Sequence, residues 1–181
     1  MNSKKTRLIK STKTIETIEL FDEFLQKREA KFTAVIVGRG ALTMLGLNVL
    51  DPEHIELFGP ILSTEQEKLI AEFRSEKWIE NVPELKSDAF PPDWNKRTKL
   101  IFSGKALRVY TLGNLELLKW QLWEHCDRAD EDRSDIVEMK PKVEQLQKCL
   151  SWVQQRDPSP DWQDHVKSEF SKISKDLGFG A

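Results

Sequence analysis

A short apolar run that leads through two glycines into a second apolar segment most constrains the fold of this chain. Phe32–Val37 is rich in β-branched residues and predicts a buried strand. Residues 41–47 are apolar and rich in helix formers, and Gly38, Arg39 and Gly40 separate the two segments. A turn of this kind at a helix N-terminus can hold a phosphate on backbone N–H groups. The alternative, which this segment alone favours, is a tight connection that binds nothing.

The rest of the chain alternates between helical and strand-like patterns. Residues 50–58 predict a second strand, with His54, Glu56 and Phe58 on one face. Apolar runs at 99–102 and 106–110 predict a hairpin, and residues 79–95 predict a loop. Apolar spacings of three and four predict helices over 14–30, from Ser63, from 112 onward, over 143–153 and over 162–177. Ser63 can cap its helix while Gln66 reaches back to it, and Gly178 is the expected C-cap of the last helix. We therefore expect an α/β (α+β) fold, in which a small mixed sheet has helices on one side and a helical C-terminal part follows.

Composition excludes several classes of protein. The 181 residues are 39% hydrophobic and carry a net charge of −2, which suits one domain and gives no case for a strongly basic nucleic-acid binder. Residues 1–13 contain five basic residues and no acid, and predict a flexible tail. No apolar run approaches the roughly 20 residues that span a bilayer, so we expect a cytoplasmic protein with no membrane segment. Cys126 and Cys149 are expected to be reduced thiols in helix cores.

Several segments taken in order resemble one protein family. These are residues 37–46, the strand at 50–58, the stretch Phe90-Pro-Pro-Asp-Trp-Asn-Lys-Arg97, and a later strand and helix. Together they resemble nucleotidyltransferase-like proteins of bacterial toxin–antitoxin and phage-defence systems, in the subgroup of uncharacterised nucleotidyltransferases. The likeness spans roughly residues 15–140 and implies a domain over 14–140 with a helical extension over 141–181 packed on it. It places four charged residues as candidates that line the cleft: Lys119, Arg128, Asp132 and Asp135.

The resemblance fails at the positions that matter most for catalysis. Active members hold divalent metal on two aspartates one residue apart on the second strand, and the matching residues here are His54 and Glu56. Histidine is a poor Mg²⁺ ligand, because hard cations prefer carboxylate and carbonyl oxygen. Glu56 is the one candidate metal ligand of the pair, and Mg²⁺ or Mn²⁺ is expected only if catalysis survives. The alternative for both residues is a solvated strand face.

Other candidates carry both a functional and a structural interpretation. Gly38, Arg39 and Gly40 match the family's phosphate-binding segment, and the planar fork of Arg39 suits phosphate oxygens. The four candidates that line the cleft could instead form salt bridges on helix surfaces. His125 and His165 have no metal-ligand partners at helical spacing and are expected at the surface. The predicted core comprises Val35, Val37, Leu42, Leu45, Leu57, Leu118 and Leu122.

Three functional hypotheses follow. The first is a nucleotidyltransferase-like protein that is catalytically degenerate and binds a nucleotide, an RNA or a protein partner through the former active-site cleft. The second is an active, toxin-like enzyme that moves a nucleoside monophosphate to RNA or protein with metal on Glu56. The third is an interaction or antitoxin-like protein with no ligand chemistry. The sequence favours the first, because one carboxylate beside a neutral histidine holds Mg²⁺ poorly.

Overall fold

The computed structural model describes residues 13–47, 49–50, 52–58, 62–73, 79–81, 90, 93–128 and 133–179. The predicted tail falls outside these ranges except for Lys13, which begins the first helix. In the described part of the chain, the helices are α1 (Lys13–Lys27), α2 (Gly38–Met44), α3 (Thr64–Phe73), α4 (Asn114–Arg128), α5 (Ser134–Glu138), α6 (Val143–Gln154) and α7 (Pro160–Asp176). The strands are β1 (Phe32–Val37), β2 (Ile55–Phe58), β3 (Ile79–Asn81), β4 (Lys99–Ser103) and β5 (Leu107–Thr111).

The strands form one mixed sheet in the order β3-β2-β1-β5-β4. The central strand β1 runs antiparallel to β2 and parallel to β5. β2 pairs with β3 in parallel, and β4 and β5 form the predicted antiparallel hairpin. The expected class, a mixed sheet combined with helices, is therefore confirmed.

Helices cover both faces of this sheet. Leu57 of β2 and Ile18 and Phe21 of α1 line one small apolar cavity. The next residue, Phe58, lies on the opposite face, where its ring is 5.4 Å from that of Trp120 on α4. Successive side chains of a strand point to opposite faces, so α1 and α4 enclose the sheet between them. The expectation of helices on one side is wrong, since all four residues of β2 are buried.

The C-terminal helices pack on α4. α6 contacts α4 and α7, and α7 also contacts α4 and α5. Ser159 caps α7 by accepting a hydrogen bond from the Trp162 backbone N–H at 3.3 Å. At the C-terminal end of α7, the Phe179 N–H donates to the Ser174 carbonyl and the Gly178 N–H donates to the Lys175 carbonyl. These two hydrogen bonds form a Schellman motif. The predicted C-cap at Gly178 is confirmed.

Most local predictions hold, but the predicted strand over 50–58 is too long and one loop is wrong. β2 begins at Ile55, so His54 precedes the strand. Ser63 and Gln66 exchange the two hydrogen bonds of a capping box at the start of α3, as predicted. The predicted loop at 79–95 instead contains the edge strand β3 and a 3-10 turn at Trp94–Arg97. Of the seven predicted core residues, Val37, Leu42, Leu57, Leu118 and Leu122 are buried, whereas Val35 and Leu45 are half-buried against the same core.

Both cysteines lie in the helical core as unpaired thiols. Cys126 on α4 and Cys149 on α6 are buried, and burial raises the pKa of each thiol to about 12. A thiol with so high a pKa is protonated at neutral pH, so neither residue is a nucleophile. Within the described ranges, no helix combines the length and apolar character needed to cross a bilayer.

Candidate functional site

The separate turn through Gly38, Arg39 and Gly40 that the sequence predicts between β1 and α2 is wrong. β1 ends at Val37 and α2 begins at Gly38, so Gly40 is the third residue of the helix and no separate turn exists. Gly38, where β1 passes directly into α2, has a φ of +66°, which lies in the left-handed region that favours glycine. A Cβ at Gly38 would also collide with Oε2 of Glu56. This glycine is therefore needed both for its backbone angle and for the close approach of Glu56.

A cavity of about 350 Å³ lies beside this junction, between β2 and α4. Arg39 borders it from α2, whereas Gly38 and Gly40 do not line it. A volume of this size is at the lower end of the range for small-molecule sites. Its walls are mainly polar, and its lining residues are Arg39, Leu50, Pro52, Glu53, His54, Glu56, Gln121, Glu124, His125, Arg128, Asp135 and Ile136.

Glu56 lies between two basic groups in this cavity. Its Oε1 is 3.4 Å from Nε2 of His54 and 3.3 Å from a terminal guanidinium nitrogen of Arg128. The Glu56 side chain is 9% exposed, and its Oε2 has no hydrogen-bond partner in the described part of the chain. A buried carboxylate needs such partners, because desolvation of a charge is costly. Arg128 is therefore the main neutralising group for Glu56.

Arg128 also joins Glu56 to a second carboxyl group. The same guanidinium nitrogen lies 2.6 Å from Oε1 of Glu124, one turn earlier on α4. Burial raises the pKa of Glu124 to about 8, and the negative charge of Glu56 adds to the increase while Arg128 opposes it. Two carboxylates in one cavity resist simultaneous ionisation. At neutral pH, Glu124 is mostly protonated and can donate a hydrogen bond.

Arg39 connects the β1–α2 junction to α5. Its Nε donates a short hydrogen bond to Oδ2 of Asp135. The Asp135 side chain is only 10% exposed, whereas that of Arg39 is 32% exposed. The charge-assisted bond keeps the planar guanidinium at the cavity wall. A phosphorylated ligand would compete with Asp135 for this fork.

The predictions for the two histidines are wrong. His125 is buried, and its Nε2 lies 3.1 Å from Oε2 of Glu169 on α7. His165 is half-buried, with Nε2 3.0 Å from the Cys126 carbonyl. Burial alone would raise the pKa of Glu169, but hydrogen bonds from Lys172 and His125 lower it below its ordinary value. Packing of α7 against α4 buries His125 and covers part of His165, and no local pattern in α4 shows which helix will cover it.

The fold brings most of the predicted site residues together. Arg39, His54, Glu56, Arg128 and Asp135 all line the one cavity, although they are up to 96 residues apart in the chain. Asp132 lies outside the described residues. Lys119 does not line the cavity, because it lies on another face of α4, with Nζ 5.8 Å from the Trp152 ring centroid.

Sequence reasoning missed three residues of α4 that line the cavity. Gln121, Glu124 and His125 precede Arg128 at intervals of seven, four and three residues, so all four side chains share one helix face. This polar spacing was visible in the sequence. It could not be interpreted as a binding surface, because the same spacing is typical of a solvent-exposed face.

The donor set does not fit the metal that the family resemblance implies. Among the residues that the structure describes, no group of three or more His, Cys, Asp or Glu is arranged to hold a metal ion. Arg128 and His54 both contact Oε1 of Glu56, which leaves only Oε2 of that carboxylate without a partner in the described part of the chain.

Comparison with known proteins adds no relative to this description. No protein-family model, curated protein or solved structure matches the chain.

Proposed function

We propose that this chain is a nucleotidyltransferase-like protein whose cavity binds a nucleotide without metal and has lost nucleotidyl transfer. One observation carries the proposal. The positions that match the family's second-strand metal ligands, His54 and Glu56, lie in a cavity where the guanidinium of Arg128 contacts the Glu56 carboxylate. A protein cation therefore contacts the carboxylate that matches a metal ligand of the active members.

The polar groups of the cavity support an anionic, hydrogen-bonding ligand. Arg39 and Arg128 both border the cavity, with side chains 32% and 60% exposed. A guanidinium fork binds phosphate oxygens in a bidentate manner. Gln121 and His54 add groups that can hydrogen-bond a base or a ribose. When the ligand binds, its phosphate oxygens would replace the carboxylates that contact these two arginines in the structure.

The same arrangement argues against catalysis. Transfer of a nucleoside monophosphate builds charge on the phosphate, and that charge must be offset by well-placed cations. Oε2 of Glu56 is packed against Gly38, and its Oε1 contacts both His54 and Arg128. The two oxygens therefore cannot bind one metal ion together without rearrangement. We therefore propose a binding protein rather than an active transferase.

Thermal unfolding with ligands tests the binding. Purified protein is melted with ATP, CTP, GTP, UTP and AMP, each with and without Mg²⁺ or Mn²⁺. We expect at least one nucleotide to stabilise the fold equally with and without metal, by about 2.7 kcal/mol at 100 times its dissociation constant. Arg39→Lys keeps the charge but loses the fork, so it should weaken binding. Arg108→Lys, at an exposed arginine on β5 outside the cavity, is the matched control.

Label transfer tests the loss of catalysis. The protein is incubated with labelled nucleoside triphosphates, Mg²⁺ and a cell extract, and no or very weak transfer is expected. Restored activity in the double variant His54→Asp with Glu56→Asp would support the proposal. Robust transfer that Glu56→Gln abolishes would contradict it and favour the toxin-like enzyme. Absence of any nucleotide-induced stabilisation would instead favour the interaction or antitoxin-like protein.

A further inference from the structure

A second concave surface lies between the two last helices, α6 and α7, and shares no lining residue with the cavity at Glu56. Two cavities of about 300 and 530 Å³ share Val143 and Phe179, and they form one continuous furrow that we name the α6–α7 groove. α6 lines it at three positions one turn apart, Val143, Leu146 and Leu150. α7 lines it at Lys167, Phe170 and Ser174, which have the same spacing of three and four residues. The groove therefore runs along the helix axes.

The floor of the groove is apolar, and part of it is open to solvent. Leu146 and Phe170 are buried at its base, whereas Val143 and Phe179 are each 41% exposed. Phe179 is held at the end of the groove because its N–H closes the Schellman motif on Ser174 at 2.8 Å. A partner that covers Val143 and Phe179 would remove their exposed apolar surface from water.

The rim of the groove is basic. Lys140, Lys142 and Lys167 border it, against one acid, Glu144. Lys167 is 62% exposed, and its Nζ is 3.7 Å from Asp164, which makes the pair a weak surface salt bridge. The remaining excess of positive charge would attract a negatively charged partner and repel a basic one.

We propose that the α6–α7 groove docks a single amphipathic helix of a partner protein, with an apolar stripe on the floor and acidic residues toward the lysines. A helix suits this groove better than an extended peptide. Both walls are helices whose backbone groups bond internally, so they offer no strand edge for pairing. The stripe from Val143 to Leu150 spans about 10 Å, which two turns of a docked helix would match. This surface is independent of the cavity at Glu56.

Two synthetic helical peptides with the same apolar stripe test the proposal. One carries glutamates beside the stripe and the other carries lysines, and binding to the full chain is followed by fluorescence anisotropy. We expect the glutamate peptide to bind at least about tenfold more tightly, with an affinity that falls as salt rises. Val143→Asp and Phe179→Asp should each weaken it about tenfold or more, since they place a charge on the apolar floor.

Matched variants separate docking from misfolding. Leu20→Asp introduces the same charge at an exposed leucine of α1, 57% exposed, and should leave peptide affinity unchanged. The double variant Lys140→Glu with Lys142→Glu should reverse the preference toward the lysine peptide. Equal binding of both peptides, or binding of neither, would overturn the proposal. It would also fail if sedimentation shows a dimer that Val143→Asp dissociates, because a second copy would then fill the groove.

Discussion

At the scale of single residues, the contact between Gly38 and Glu56 decides the geometry of the cavity. Gly38 combines a φ of +66° with a position where a Cβ would strike Oε2 of Glu56. Glu56 is 9% exposed and contacts His54 and Arg128, so it cannot move aside cheaply. Gly46 also has a positive φ, +79°, but a Cβ there would meet nothing within 4 Å. A side chain at either glycine would strain the backbone, but only at Gly38 would it also clash with a neighbouring atom. Comparison of the two positions therefore distinguishes the cost of backbone strain from the cost of the clash.

Alanine substitutions at these glycines should differ clearly. Gly46→Ala should cost about 1 kcal/mol, the usual strain of a left-handed residue. Gly38→Ala should cost about 2–4 kcal/mol, because displacement of a buried carboxylate adds to the same strain. Urea unfolding followed by circular dichroism measures both. Equal losses would show that Glu56 gives way freely, and would remove the steric reason for glycine at 38.

At the scale of elements, one buried carboxylate ties α1 to the turn between β4 and β5. Asp22 accepts backbone hydrogen bonds from Ala106 at 2.8 Å, Leu107 at 2.7 Å and Lys105 at 3.2 Å. Burial alone would raise the pKa of Asp22, but these bonds, with one from Gln26, lower it below its ordinary value. The ionised form is therefore stabilised in the folded chain, and protonation weakens the link between helix and hairpin.

The stability of the fold should consequently depend on Asp22 and on pH. Because the folded pKa is lowered, the contribution of Asp22 is complete above its unfolded pKa and is lost as pH falls through the folded pKa. Asp22→Asn should lower the free energy of unfolding by about 1–3 kcal/mol at pH 7. The difference in this free energy between the variant and the wild type should become smaller below about pH 4. Glu23→Gln, at an exposed neighbour on α1, is the control. A gap that stays constant from pH 7 to pH 3 would contradict the assignment.

The long helix α4 separates a packing face from a polar face. Leu118 is 1% exposed in the core, whereas Gln121, Glu124 and Arg128 border the cavity. Leu118→Ala should cost about 2–5 kcal/mol, because it removes buried methyl groups and leaves a void. Leu100→Ala, at a 48% exposed leucine of β4, should cost much less. Chemical denaturation measures both, and a cost near zero at Leu118 would contradict the assigned face.

Sequence reasoning succeeded where structure is decided locally. The Ser63–Gln66 capping box, the Gly178 cap and the β4–β5 hairpin depend on neighbouring residues, and all three were predicted. β3 was missed because its three residues carry no strand pattern and gain their structure by pairing with β2.

The same limit applies to the candidate site. The polar residues on β2 and after β1 could be predicted from a sequence motif, since they lie close together in the chain. The role of His125 could not, because its environment depends on Glu169 from α7, 44 residues later. Lys119 was misplaced for a related reason. Lys119 precedes Gln121 by two residues, which is a rotation of about 200° around the axis of α4. It therefore lies toward Trp152 and not toward the cavity, and the sequence alone does not show which face meets the cavity.

At the scale of the whole molecule, the C-terminal helices complete the core that begins at the sheet. Ile36 of β1 and Ile173 of α7 are both fully buried in one continuous hydrophobic cluster. Polar contacts also hold α7 in place. His125 of α4 lies within hydrogen-bond distance of Glu169, at 3.1 Å, and Arg133 donates a hydrogen bond to Asp176 at 2.8 Å. A shared core of this kind predicts that residues 141–181 do not unfold separately from the sheet.

Cooperative unfolding of the whole chain is therefore the expected behaviour. Ile173→Ala in α7 should cost about 2–5 kcal/mol and Ile36→Val in β1 about 0.5–1.5 kcal/mol. In each variant, tryptophan fluorescence and far-ultraviolet circular dichroism should report one coincident transition at a lower urea concentration. Most tryptophans lie on α4, α6 and α7, so fluorescence follows the helical part while circular dichroism follows the whole chain. If Ile173→Ala shifts the fluorescence transition alone, the C-terminal helices form an independent unit, and the α6–α7 groove belongs to that unit rather than to a single cooperative fold.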